Sequence, residues 1–235
     1  MKFKVLYSFF AFLIFFCLGN TASASSIFVV SEEYYEEDQL DDDTLYEMAL
    51  QGELVNNKHT QVEVIYDEET EIEFVKIKKL LTKSTYITGD TNEHYSILAI
   101  GTKEETEDSG SITVRLKVGF NYDKKDFDGV SGYKATSFYA TPTLLDSKFK
   151  LTSLSQDITA SGMGYTSGGT KRFISEDNDQ GPFTNPASGA MKSKNTGFLY
   201  YLTPNDGSGL GTKATLKYTR TDTGTSYSFP FGVGL

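Results

Sequence analysis

The chain has 235 residues, a formal net charge of -10 at pH 7 and one cysteine, Cys17. An acidic chain of this kind argues against nucleic-acid binding, which depends on clustered Lys and Arg replacing the counterions of phosphate. Because Cys17 falls in an N-terminal address segment, thiol catalysis and thiolate metal sites are excluded for the rest of the chain.

Residues 1–24 read as a secretory signal peptide. Lys2 and Lys4 begin it, residues 5–18 are apolar or small apart from Ser8, and small residues at Ala22 and Ala24 suit cleavage after Ala24. A run of about 14 apolar residues is too short to cross a bilayer, which takes roughly 20. Ile14, Phe15 and Phe16 before Cys17 are too bulky for a lipobox. The expectation is a secreted, extracellular chain with no disulfide and no transmembrane anchor, held together by packing and sheet hydrogen bonds alone.

The stretch "SEEYYEEDQLDDD", residues 31–43, places eight carboxylates in thirteen positions without a Lys or Arg. Neighbouring carboxylates repel, and no Gly or Asn is present to wrap the backbone around an ion. The stretch therefore reads as part of a disordered, solvating acidic leader over 25–52, and is itself the expected place for the chain to be cut. One short helix is expected in it, over 44–51, with Asp43 as cap and Gly52 as terminator. Charge then divides the chain. Residues 25–109 carry 22 acids against 6 cations, a net of -16, and residues 110–235 carry 10 against 14, a net of +4. The resulting organisation is signal peptide 1–24, acidic leader 25–52, an N-terminal β-hairpin region 53–109 and a β-sandwich domain 110–235.

From Thr60 onward the pattern is mostly period two. "TQVEVIYDEETEIEFVKIKKLL" predicts a hairpin turning at 67–70, followed by the strand "HYSILAIGT". In "SITVRLKVGFNY" the residues Ile112, Val114, Leu116, Val118, Phe120 and Tyr122 alternate with polar residues and Gly119, which predicts one buried and one wet face. After a turn at "DKKDFDGVSG", strands are predicted at "YKATSFYAT", "KFKLTSLSQDITA", "MGYTS", "TGFLYYLT", "TKATLKYTR" and "SYSFPFGV". The fold class is all-β, an antiparallel sandwich or open barrel.

The run "EDSGSITVRLKVGFNY", the following "YKATSFYATPTLLDSKFKLTSLSQDITASGMGYTSGG" and the closing "TKATLKYTR" resemble a group of exported proteins of Gram-positive bacteria over roughly 105–235. The chain departs from that group in having no Trp at its aromatic positions. The resemblance implies secretion and an all-β fold, and brings no catalytic motif.

Motifs for chemistry are sparse. His59 and His94 stand outside any H-E-x-x-H arrangement, there is no Gly-x-Ser-x-Gly elbow, and "SGYK" lacks the partner motifs of an S-x-x-K enzyme. "DKKDFDG" fails as an EF-hand because Lys124 and Ala135 occupy the first and twelfth ligand positions. The acids of the C-terminal half fall mostly in predicted turns, where Asp serves turn chemistry. The chain therefore reads as a non-enzyme without a cofactor, the one metal candidate being calcium at Asp177 and Asp179 in the expected loop "SEDNDQGP". Tyr200, Tyr201 and Tyr218 are the aromatic candidates for contact with a partner, either a cell-wall polymer or another extracellular protein. Two functions are compatible with these features. One is a secreted binding or structural module. The other is an exported proprotein whose acidic N-terminal part, to about residue 109, shields an antimicrobial or membrane-active β module.

Overall fold

A computed structural model describes residues 29–35, 39–67, 72–86, 91–104, 112–203 and 208–235. The expected signal peptide lies outside them. The described residues form β1 (Val29–Tyr34), α1 (Asp42–Leu50), β2 (Thr60–Asp67), β3 (Ile72–Tyr86), β4 (Thr91–Glu104), β5 (Ile112–Phe127) and β6 (Val130–Leu144). There follow β7 (Phe149–Tyr165), β8 (Lys171–Thr184), β9 (Lys192–Asn195), β10 (Tyr201–Leu202), β11 (Gly209–Arg220) and β12 (Ser226–Gly234).

All strands join one open antiparallel sheet in the order β1-β3-β4-β5-β6-β10-β7-β11-β12, with β2 on β3, β8 on β7 and β9 on β6. The short strand β10 bridges β6 and β7, and there the sheet folds over so that its two halves face each other. The Phe231 ring of β12 lies over Gly101 of β4 and meets Phe74 of β3 edge-on at 5.4 Å. The sandwich thus arises from one sheet packed against itself. Its inner core holds Val114, Leu116, Val118, Phe120 and Tyr122 of β5 against Leu154, Ile158, Leu216, Phe229 and Phe231, as the alternation of β5 predicts.

Local chemistry explains the ends of the elements. Strand β5 runs past the expected turn as far as Phe127, because a two-residue Asp128-Gly129 turn, both residues at positive φ (48° and 84°), suffices to reverse it. Asp-Gly with this geometry matches the twist of a hairpin. Helix α1 starts two residues earlier than expected. Asp41 is its cap, accepting Thr44 N–H at 2.9 Å and Thr44 Oγ1 at 2.6 Å. At the other end Gly52 takes φ 81°, and the bonds Gly52 N to Ala49 O and Glu53 N to Met48 O close a Schellman motif.

Three expectations are corrected. Residues 29–34 of the acidic leader form β1 instead of a disordered tether, because pairing with 82–86 sets Glu33 opposite Lys83 and Glu32 within 3.5 Å of Ser84 Oγ. The expected loop "SEDNDQGP" lies inside β8, paired with β7 from Ser175 to Gln180 and leaving the register only at Gly181-Pro182, with Ile174 and Gln180 buried. "TGFLYYLT", expected as a strand, contains only the two residues of β10. These last two errors are one event. Glu176 of β8 accepts the N–H groups of Leu199 and Tyr200, and Asn178 Nδ2 donates to Thr196 O at 2.7 Å. Polar side chains of β8 thus satisfy backbone that a neighbouring strand would otherwise pair.

Division of the chain at residue 109 does not coincide with a break in the sheet. β4 pairs with β5 from Asn92↔Lys125 to Glu104↔Ile112, and Ile97 and Ala99 belong to the same inner core as β5.

Candidate functional site

The outer face of β3 to β6 is built from two adjacent rows across the strands. In one, Ile77, Leu98, Gly119, Tyr139 and Ser193 are successive register partners; in the other, Lys79, Ser96, Asn121, Ser137 and Asn195 are. The apolar end of this face is covered by α1, whose Leu45, Tyr46 and Ala49 pack on Val62, Val75, Ile77, Leu98 and Ile100. Where the apolar residues give way to polar ones, the helix stops covering the sheet and a groove of about 650 Å³ opens.

Gly119 makes the floor of the groove flat. A Cβ there would lie 2.5 Å from both Ile97 O and Tyr139 Cζ, so only glycine lets the Tyr139 ring lie down across β5. The Tyr139 hydroxyl then reaches Ser96 Oγ at 3.1 Å, and Asn121 Nδ2 donates to Ser137 Oγ at 3.0 Å. Burial pushes the Tyr139 hydroxyl up to about 12, so it stays neutral at physiological pH. Gln39, Asp42 and Lys79 wall the groove on the helix side, and Met191, Ser193 and Lys194 on the β9 side. Lys79 is neutralised within the wall, 2.7 Å from Asp42 Oδ1. The floor is therefore uncharged, rich in hydroxyl and carboxamide groups, and repeats at the strand spacing of about 4.8 Å. Such a row can exchange hydrogen bonds with an extended, hydroxylated or amide-bearing ligand.

Beyond this row His94 Nδ1 lies 2.9 Å from Asp123 Oδ1, and Asp123 Oδ2 lies 3.4 Å from Lys134 Nζ. The three are register partners across β4, β5 and β6, with Asp123 between His94 and Lys134.

The candidates from the sequence lie elsewhere. Tyr218 is buried in the inner core, stacked on Tyr227 at 5.3 Å, because it is in phase with Ala214 and Leu216. Tyr201 is also buried, edge-on to Phe127 at 5.4 Å with Lys134 Nζ 4.8 Å over its ring. Neither has the surface that the contact role requires. Tyr200 is half-buried, with the Arg172 guanidinium 4.8 Å over its ring and Arg172 Nη1 donating to its hydroxyl at 3.2 Å. Asp177 and Asp179 stand on the exposed face of β8, where Asp179 pairs with Asp157 of β7. The backbone there runs straight along β7 and does not wrap around an ion. Among the described residues no group of three His, Cys, Asp or Glu is close enough to hold a metal.

Sequence reasoning missed the groove residues because Ser96, Asn121 and Ser137 occupy the wet phase of their strands, where polar residues are ordinary. The one usable signal was Gly119, a glycine in the middle of an otherwise unbroken alternation. Comparison of the chain with protein-family models, curated proteins and solved structures returns no match.

Proposed function

We propose that the protein is a secreted, non-enzymatic binding protein that holds a hydroxyl- and amide-bearing cell-wall polymer in the groove on its outer face. The observation that carries this reading is the row Ser96, Asn121, Ser137 and Asn195, which lines an open groove with donors and acceptors across four strands. The signal-peptide pattern of residues 1–24 and the absence of cysteine from the chain beyond it support export. The proprotein reading has less support, because a cut near residue 109 would strip β1 to β4 from the sheet, leave the long edge of β5 unpaired and remove Ile97 and Ala99 from the inner core.

Fluorescently labelled protein incubated with purified cell-wall sacculi tests the reading. Retention is expected, with loss of about tenfold in affinity for the double variant Asn121→Ala/Ser137→Ala, which removes two hydrogen-bonding groups. Equal retention of that variant, or no retention of the wild type, would overturn it.

A further inference from the structure

The polymer-binding row makes no use of the cations on this face, of which Lys79 stands in the groove wall and Lys117 is not among its lining residues. Lys79 of β3 and Lys117 of β5 project on the face that α1 covers, and each is paired with an aspartate of the first helical turn, Lys79 with Asp42 at 2.7 Å and Lys117 with Asp43. The two sides of these pairs differ in how they are held. The lysine side chains are 13% and 20% exposed, whereas Asp42 and Asp43 are 42% and 75% exposed. The cations are thus built into the sheet, and the anions sit on them from outside.

The seated segment is also recognised through its main chain. Lys79 Nζ donates to Leu40 O at 2.6 Å, and Gln39 reaches back to donate from Nε2 to Leu80 O at 2.6 Å while accepting from Thr60 Oγ1 at 3.1 Å. Arg115, on the same face of β5 as Lys117, holds its guanidinium 4.9 Å over the Tyr46 ring, and its Nε has no hydrogen-bond partner among the described residues. The face therefore carries three cations, one incompletely satisfied, beside apolar residues that already accept a short helix.

We propose that Lys79, Arg115 and Lys117 form a docking site for an acidic peptide segment of a partner protein, and that residues 39–43 of this chain are its resident competitor. Contact with a backbone carbonyl favours a peptide over a bare polyanion. Exposed ion pairs contribute little each, so the first turn of α1 can yield to a competing segment while Leu45, Tyr46 and Ala49 keep the rest of the helix docked. This site shares Lys79 with the groove wall but uses cations, whereas the polymer-binding reading rests on the uncharged row Ser96, Asn121, Ser137 and Asn195, so peptide binding and retention on sacculi are read independently.

The test uses the full chain and a fluorescein-labelled peptide of sequence SEEYYEEDQLDDD, followed by anisotropy at low ionic strength. The double variant Asp42→Asn/Asp43→Asn removes the resident anions and is expected to bind the peptide about fivefold more tightly than the wild type. Adding Lys79→Gln/Lys117→Gln to that variant is expected to return binding to the wild-type level or below. If the quadruple variant loses its cooperative melt, Lys117→Gln alone in the Asn/Asn background is read instead, with at least a twofold loss expected. Equal binding by wild type and the Asn/Asn variant would overturn the proposal, as would unchanged binding after loss of the lysines. Displacement of the peptide by polyphosphate more readily than by unlabelled peptide would overturn it too, assigning the cations to a phosphate polymer.

Discussion

The two halves of the sheet share one inner core but have opposite outer faces. On β4, residues 97–100 are buried without interruption, because the inner core takes Ile97 and Ala99 while α1 covers Leu98 and Ile100. On β11 burial alternates cleanly, with Ala214, Leu216 and Tyr218 inside and Lys213 and Lys217 exposed. No helix covers that second face among the described residues, and the cross-strand neighbours of Lys213 and Lys217 are Asp157, Gly232, Ser153 and Ser228. The difference teaches that the outer phase of a strand decides whether a further layer is recruited. Five apolar side chains, Val62, Val75, Ile77, Leu98 and Ile100, receive a nine-residue helix. The groove lies at the margin of that layer, where the outer phase turns polar.

The contrast can be broken most strongly from the inside. Phe120→Ala empties a fully buried site in the shared core and is expected to cost about 3–5 kcal/mol in urea unfolding. Leu45→Ala removes a buried side chain of α1 but leaves a helix free to settle, so about 2 kcal/mol is expected. A loss as large as that of Phe120→Ala would mean that the helix is no separate layer. Gly119→Ala places a methyl group against Tyr139 and Ile97 O, with an expected cost of about 1–2 kcal/mol and weaker retention on sacculi. Unchanged retention would separate the groove from the position of Tyr139.

The smallest effect concerns pH. Tyr139 is held neutral up to about 12 chiefly by burial, against an ordinary value of 10.0. Its neutral form is favoured in the folded state, so the stabilisation is complete below pH 10 and is lost as pH rises through the window from 10 to 12. Tyr139→Phe should therefore show a shallower decline of stability across that window. Tyr95 and Tyr122 are raised still further, again mainly by burial, so some alkaline loss should persist in the variant. An identical slope in both proteins would remove Tyr139 from the account.

Much of the all-β body was legible in the chain. The alternations of β5 and β11, the β2 and β3 hairpin and the helix near residue 45 are local patterns that need no partner to be recognised. Tyr218 was legible too, since its phase with Ala214 and Leu216 marks it as core, yet it was expected as a contact residue. Strand β8 was not legible. Its exposed face is almost wholly polar, and only Ile174 and Gln180, six residues apart, mark its buried side. The run "SILAI" also held information that the alternation rule passes over, because an unbroken apolar stretch in an antiparallel sheet implies cover on both faces.

By itself the amino-acid sequence determined where strands could form and how each could end, because hydrophobic period, the Asp-Gly turn and the Asp41 and Gly52 caps act over two to five neighbouring residues. Only the tertiary structure decided which faces are covered, how the acidic leader pairs with lysines of β3 and β5, and that Ser96, Asn121, Ser137 and Asn195 stand in one row. That row joins residues up to 99 positions apart in the chain. Cross-strand register, which aligns them, is set between strands by the turns and by which face each strand buries, so no one strand carries it alone.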